Sequence, residues 1–217
     1  MPDLIIACLS QKGGVGKSTL ARLIARTYAV AGWSVKICDF NTTQLTSFNW
    51  AKIRKQNDIQ PEIVSEPYTS PTALKRETFN LVVADGRPDS DQSSMDIARA
   101  ADLIVIPTGL PLDDLQPQLM FANELVAKGV PKEKILFVLN KTTESRAAVL
   151  EARSYLQSAT GYLVAEQDIS AKTSYQRAQN HGYALSEVGQ KIGSLEEKAD
   201  LLAAEIVGRA TELGAAA

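Results

Sequence analysis

The stretch Lys12-Gly13-Gly14-Val15-Gly16-Lys17-Ser18-Thr19 constrains this chain more than any other feature, because it joins an apolar β-type run, Leu4 to Leu9, to an amphipathic helical pattern. Glycines at 13, 14 and 16 let the backbone curl so that successive N–H groups point inward, and the helix that follows adds the positive end of its dipole. A polyphosphate fits such a nest. Lys17 would then reach the β- and γ-phosphate oxygens, the Ser18 hydroxyl would complete the coordination of a Mg²⁺ ion, and Thr19 would support the α-phosphate. A strand before and a helix after is the context a P-loop requires. A lone glycine-rich turn would weigh little; three glycines, two lysines and a Ser-Thr pair at fixed offsets are hard to read as a turn alone.

The rest of the chain is consistent with an α/β fold built around that motif. Apolar β-prone runs recur at Leu4 to Leu9, Val35 to Cys38, Leu81 to Ala84, Leu103 to Ile106, Ile135 to Leu139 and Tyr162 to Ala165, with helical patterns in most gaps. Runs that are continuously apolar are covered on both faces, so the expected architecture is a doubly wound, mostly parallel sheet flanked by helices. Leu20, Leu23, Ile24, Tyr28 and Ala31 mark one helix ending at Gly32, and Ser194 and Glu197 stand in capping-box spacing at the start of a terminal helix reaching Leu213. Phe40 to Thr78 reads as loops around short elements. At 217 residues with 45% hydrophobic and 22% charged residues, one domain over 1–213 is expected, followed by a frayed tail at 214–217.

Composition narrows the chemistry. No apolar run approaches the ~20 residues of a membrane-spanning helix and no signal peptide is apparent, so a cytoplasmic protein without membrane attachment is expected. Two cysteines, Cys8 and Cys38, lie in apolar strand-type runs and His181 is the single histidine, which leaves little to build a zinc or iron–sulfur site. Any metal must take oxygen ligands. Asp85 ends the run LVVAD, the Walker B form, where a strand's carboxyl end meets the ligand crevice, and is the expected Mg²⁺ carboxylate. An Asp before Gly86 could also simply open a turn. The net charge of −2 gives no general attraction to nucleic acid.

The strict Walker A pattern asks for glycine at position 11, where this chain has Gln11, while Lys12 stands immediately before Gly-Gly. That arrangement resembles the deviant Walker A group, which includes ParA, MinD and the nitrogenase iron protein, and the chain as a whole most resembles the ParA family of DNA-partitioning ATPases. The resemblance implies that Lys12 crosses to the partner's nucleotide in a face-to-face homodimer that sandwiches ATP. Asp39 and the following FNTTQLTSFNW resemble the family's switch segment, which makes Asp39 a catalytic and Mg²⁺-shell candidate and Gln44 a weaker water contact. Asn41 departs from the pattern, standing where the family carries a second aspartate that handles the attacking water. An amide can orient that water but cannot take its proton, so slow hydrolysis is expected; a tolerated natural variant and a substitution that traps ATP both fit.

Asn140, at the end of ILFVLNK, matches the position that reads adenine in the family, with Lys141 over the ring, although Asn also favours turns. Pro107, with Asp113 or Asp114, matches positions near the family's dimer face. The family's cycle further implies binding to nonspecific DNA, nucleoid association in the ATP state, and a cargo-bound ParB-like activator. Lys172, Arg177, Lys191 and Lys198 are the DNA-contact candidates, and an ordinary solvated surface is an equal reading for each. A MinD-like membrane regulator would need an amphipathic tail that ATELGAAA does not supply, and an iron-protein role would need bridging cysteines. An ATP-binding module with little turnover remains the other reading of Asn41.

Overall fold

A computed structural model describes residues 1–88, 92–189 and 195–215. Its centre is an eight-stranded, wholly parallel sheet: β1 (Leu4–Ser10), β2 (Val35–Asp39), β3 (Val64–Pro67), β4 (Leu81–Pro88), β5 (Leu103–Thr108), β6 (Ile135–Thr142), β7 (Leu163–Val164) and β8 (Ile169–Ser170). The order is β3-β2-β4-β1-β5-β6-β7, with β8 also on β6. β1, which feeds the glycine-rich loop, is thus central, between β4 and β5. All six expected strands are present, and the doubly wound α/β expectation holds.

Alternate residues of each strand enter separate cores. Ile6 and Cys8 pack with one layer built on α1 (Lys17–Val30), α2 (Thr46–Gln56) and the terminal helix α7 (Leu195–Ala215). Ile5, Ala7 and Leu9 pack with the opposite layer of α3 (Gln92–Ala100), α4 (Leu112–Ala127) and α5 (Arg146–Thr160). Burial on both faces is why the strands read as unbroken apolar runs rather than alternating ones. The short α6 (Thr173–Asn180) sits beside α1 and α2 and matters for the site.

Two details differ from the sequence reading. The Phe40–Thr78 region contains an eleven-residue helix, α2, and a parallel strand, β3, rather than only loops around short elements. α7 continues to Ala215, so residues 214 and 215, expected in a frayed tail, are helical. The capping box assigned to Ser194 falls outside the described residues, as does the DNA-contact candidate Lys191. Among the described residues, no helix is long and apolar enough to cross a membrane.

Candidate nucleotide and magnesium site

The carboxyl ends of β1, β2, β4 and β6 converge on one cleft. The loop from Gln11 to Gly16 leaves β1 through a turn fixed by Ser10, whose hydroxyl accepts from the Lys12 N–H (3.1 Å) and stands 3.0 Å from the Lys12 carbonyl. Gly14 and Gly16 have φ of 75° and 111°, a region that side chains with a Cβ avoid. Gly16 caps α1, so the first free N–H groups of that helix open into the cleft. A cavity of about 230 Å³ lies there, lined by Gly13, Gly16, Lys17, Ser18, Asn41 and Gln44 among others. A second hollow of about 620 Å³ adjoins it along Gly13, Gly14, Asn140 and Lys141. Lys17 is nearly buried and its ammonium donates to the Lys12 carbonyl at 3.1 Å, which bends the loop around the cavity.

Behind the residues that line the cavity are two buried carboxylates on adjacent strands, Asp39 and Asp85, paired in register. They play different parts. Asp39 Oδ1 accepts from the Asn41 N–H (3.0 Å), and Oδ2 from the Ser47 and Phe48 N–H groups (2.9 and 3.1 Å). These last two are the second and third helical residues of α2, so Asp39 caps that helix from a neighbouring strand. Asp39, expected as a Mg²⁺-shell or catalytic group, has both oxygens committed to backbone donors in this structure, and it organises the 40–48 segment. Asp85 Oδ2 accepts from the Ser47 hydroxyl at 2.6 Å, while Oδ1 is buried with no hydrogen-bond partner among the described residues. The Ser18 hydroxyl also acts on Asp85.

An orphaned carboxylate oxygen beside the Ser18 hydroxyl supplies the kind of oxygen ligands that a hard cation would use. Mg²⁺ and a nucleoside triphosphate therefore fit these residues. Among the described residues no group of three or more His, Cys, Asp or Glu could hold a metal unaided, so phosphate and water oxygens would complete the shell.

The electrostatics fit the same reading. Burial, then the neighbouring Asp39 charge, pushes the Asp85 carboxyl up to about 6, against the lowering effects of Ser47, Ser18 and Arg22. Burial likewise raises Asp39, opposed by its three backbone donors. Asp85 is thus held at a cost to the ligand-free fold. Asp85→Asn, which keeps an acceptor for Ser47, is expected to stabilise the nucleotide-free protein at pH 7 by on the order of 2 kcal/mol. The sign follows from the raised folded pKa: the folded state takes up the proton first as pH falls, so the advantage of Asn shrinks through about pH 6 and vanishes below the ordinary value of 3.8. Urea denaturation of both proteins between pH 7 and 4 measures it.

Other expected residues fall as follows. Asn41 is half-buried at the cavity mouth, its Nδ2 donating to Gln44 Oε1 (3.0 Å) and its Oδ1 accepting from the Gln44 N–H (3.3 Å). Asn140, expected to read adenine, is buried and its Nδ2 donates to the Val15 carbonyl at 2.6 Å, so in this structure it clamps the glycine loop. The Thr19 hydroxyl donates to Gln179 Oε1 at 3.1 Å. The Lys12 ammonium forms an ion pair with Asp114 on α4 and donates to the Asp113 carbonyl at 3.3 Å. Lys172 is paired with Glu144 at 2.7 Å, whereas Arg177 is exposed. Sequence reasoning missed Ser47, Arg22 and Gln179; of these only Arg22 carried a signal, since position Ser18 + 4 on a helix shares the Ser18 face.

A family model described as the CobQ/CobB/MinD/ParA nucleotide binding domain matches residues 6–184, most of the chain. The chain belongs to that family. By structure it is similar to the septum site-determining protein MinD from Pyrococcus horikoshii, complexed with Mg-ADP, at a TM-score of 0.73 and 16% identity, covering 97% of this chain and 98% of that one. It is similar also to an alanine-substituted McdA from Cyanothece in complex with ATP (TM-score 0.69, 18% identity, 96% and 98% covered). A putative plasmid partition protein from Borrelia burgdorferi bound to AMPPNP gives 0.68 at 14% identity, covering 96% and 99%. A search by sequence among curated proteins returns no match. For this member of the MinD/ParA family, the glycine loop, Lys17, Ser18 and Asp85 stand together in one cleft.

Proposed function

We propose that this chain is an ATP-dependent dimerising switch that binds nonspecific DNA and helps position or segregate a cargo, with hydrolysis stimulated by a cargo-bound, ParB-like partner. The observation that carries the nucleotide half of this reading is the unpartnered, buried Asp85 oxygen behind Ser18, whose side chain acts on Asp85 and which itself lines the glycine-rich cavity. In this account the N–H groups from Gly13 to Thr19 would bind the phosphates, Lys17 would leave the Lys12 carbonyl for phosphate oxygens, and Ser18 with Asp85 would hold Mg²⁺. The bound cation would supply charge neutralisation for the phosphate oxygens. Asp39 positions the switch segment through its three backbone contacts. Lys12, released from Asp114, would reach the partner's nucleotide and tie ATP to assembly. DNA contact by the dimer rests on the family resemblance, with Arg177 and Lys198 as candidates; phosphate contacts of that kind weaken steeply with salt.

The Asn41–Gln44 amide pair favours a particular form of this reading, a switch that holds ATP for a long time. Neither amide can accept the proton of an attacking water, and Asn41 is tied to Gln44 through its Nδ2 and through the Gln44 main-chain N–H. Asn41→Asp is expected to raise ATP turnover by about tenfold to a hundredfold. Phosphate release from both proteins, with and without DNA, tests this. Equal rates would remove position 41 from the reaction.

A further inference from the structure

The structure holds a buried cation that the nucleotide reading leaves unused. Arg22 lies on α1 one turn beyond Ser18 and is 6% exposed. It makes no carboxylate salt bridge among the described residues. Its Nη2 donates to the Thr46 carbonyl at 2.8 Å, where α2 begins, and its Nη1 donates to Gln179 Oε1 on α6 at 3.0 Å. Its guanidinium lies 5.5 Å from the centre of the Trp50 ring, also on α2. Its Nε is buried with no hydrogen-bond partner among the described residues. A buried guanidinium with an unmet donor is costly to keep.

The two acceptors explain what it joins. Asp39 holds the N–H groups of the first turn of α2, and Arg22 holds a carbonyl of the same turn. Gln179 Oε1 is shared: the Thr19 hydroxyl, last in the glycine-loop motif, donates to the same atom. The Trp50 indole N–H in turn donates to the Tyr183 carbonyl just beyond α6. The phosphate end of α1, the start of the switch helix and α6 therefore meet around one guanidinium and one amide oxygen.

We propose that Arg22 and Gln179 are positioning residues that couple nucleotide occupancy to the placement of α2 and α6, an inference that rests on the nucleotide reading above. When the Thr19 hydroxyl turns to phosphate, Gln179 Oε1 is left to Arg22 alone, and the Arg22 grip on Thr46 and Trp50 readjusts. α6 carries the exposed Arg177, so the same readjustment reaches the outer surface. Coupling of this kind needs an element with two arrangements that ligand biases, and the shared acceptor supplies one.

Trp50 reports on it directly once Trp33, the other tryptophan, is replaced. In the Trp33→Phe protein, saturating Mg·ATP is expected to change Trp50 emission, with binding measured separately using a fluorescent ATP analogue. Gln179→Met removes the shared acceptor, and Arg22→Lys keeps a charge but loses the two-pronged geometry. Both are expected to bind the analogue while the ATP-induced Trp50 change falls about fivefold or more. A full Trp50 response in both variants overturns the coupling. So does a Trp33→Phe parent that binds ATP with no Trp50 change. A parent that binds no ATP fails at the earlier step and contradicts the nucleotide reading instead.

Discussion

Glu187→Ala is expected to cost about 3–5 kcal/mol of folding stability, because it strands a buried guanidinium. Arg54 is 1% exposed, yet all its donors are used: Nε to the Pro61 carbonyl (2.9 Å), Nη1 to Gly182 (3.1 Å) and Glu187 (2.7 Å), and Nη2 to Gln60 (2.9 Å) and Glu187 (3.0 Å). Glu187 also accepts from the Ala184 N–H (2.8 Å) and from Arg26 (3.3 Å). This pair ties α2 to the segment after α6, behind the switch. Burial alone would raise the Glu187 carboxyl, but Arg54, the Ala184 N–H and Arg26 together lower it below 4.5. Its contribution is therefore complete above that value and is lost as pH falls through the lowered folded pKa. Denaturant titrations at pH 7 and pH 4 measure both effects: the Glu187→Ala deficit should be large at the first and smaller at the second. An equal deficit at both would mean that packing, and not charge, holds the pair.

The largest functional loss is expected from Gly16→Ala. At φ 111° an L side chain is strained, and here its Cβ would also stand 1.9 Å from Asn140 Nδ2. Asn140 is buried and grips the Val15 carbonyl, so it has no room to yield without releasing the loop. The strain is of order 1–3 kcal/mol, and the loop N–H groups lose their common focus. ATP affinity is expected to fall by about a hundredfold or more, the equivalent of about 2.7 kcal/mol. The same strain lowers folding stability, so the thermal unfolding midpoint is expected to fall by several degrees, and affinity is compared at a temperature where both proteins are folded. Isothermal titration with Mg·ATP decides it; wild-type affinity in Gly16→Ala would show that the glycine loop does not cradle phosphate.

What could be read from the sequence was what is local in it. The glycine loop is eight consecutive residues, and strands buried on both faces leave apolar runs that need no partner to be recognised. Asp85 was legible for the same reason, ending a run beside a glycine. α2 was not. Its core side includes Arg54, a charge where the helical period asks for an apolar residue, and its N-terminus is capped by Asp39 from another element rather than by a neighbour in sequence. The backbone contacts of Asp39 and Asn140 were equally hidden: Asp39 ends β2 and Asn140 stands two residues before the end of β6, and only the three-dimensional arrangement reveals which polar atoms face the main chain. The Lys12–Asp114 and Arg22–Gln179 contacts join residues 102 and 157 apart, a separation at which no periodicity carries information.

We propose that ATP, held by this cleft, drives two copies together. Sedimentation velocity of the wild-type chain without nucleotide, with Mg·ADP and with Mg·ATP, beside Gly16→Ala under the same conditions, tests it most directly. The expected result is a monomer that becomes a dimer with Mg·ATP only, and a variant that stays monomeric throughout. A wild-type chain that binds Mg·ATP and keeps the same mass would contradict it.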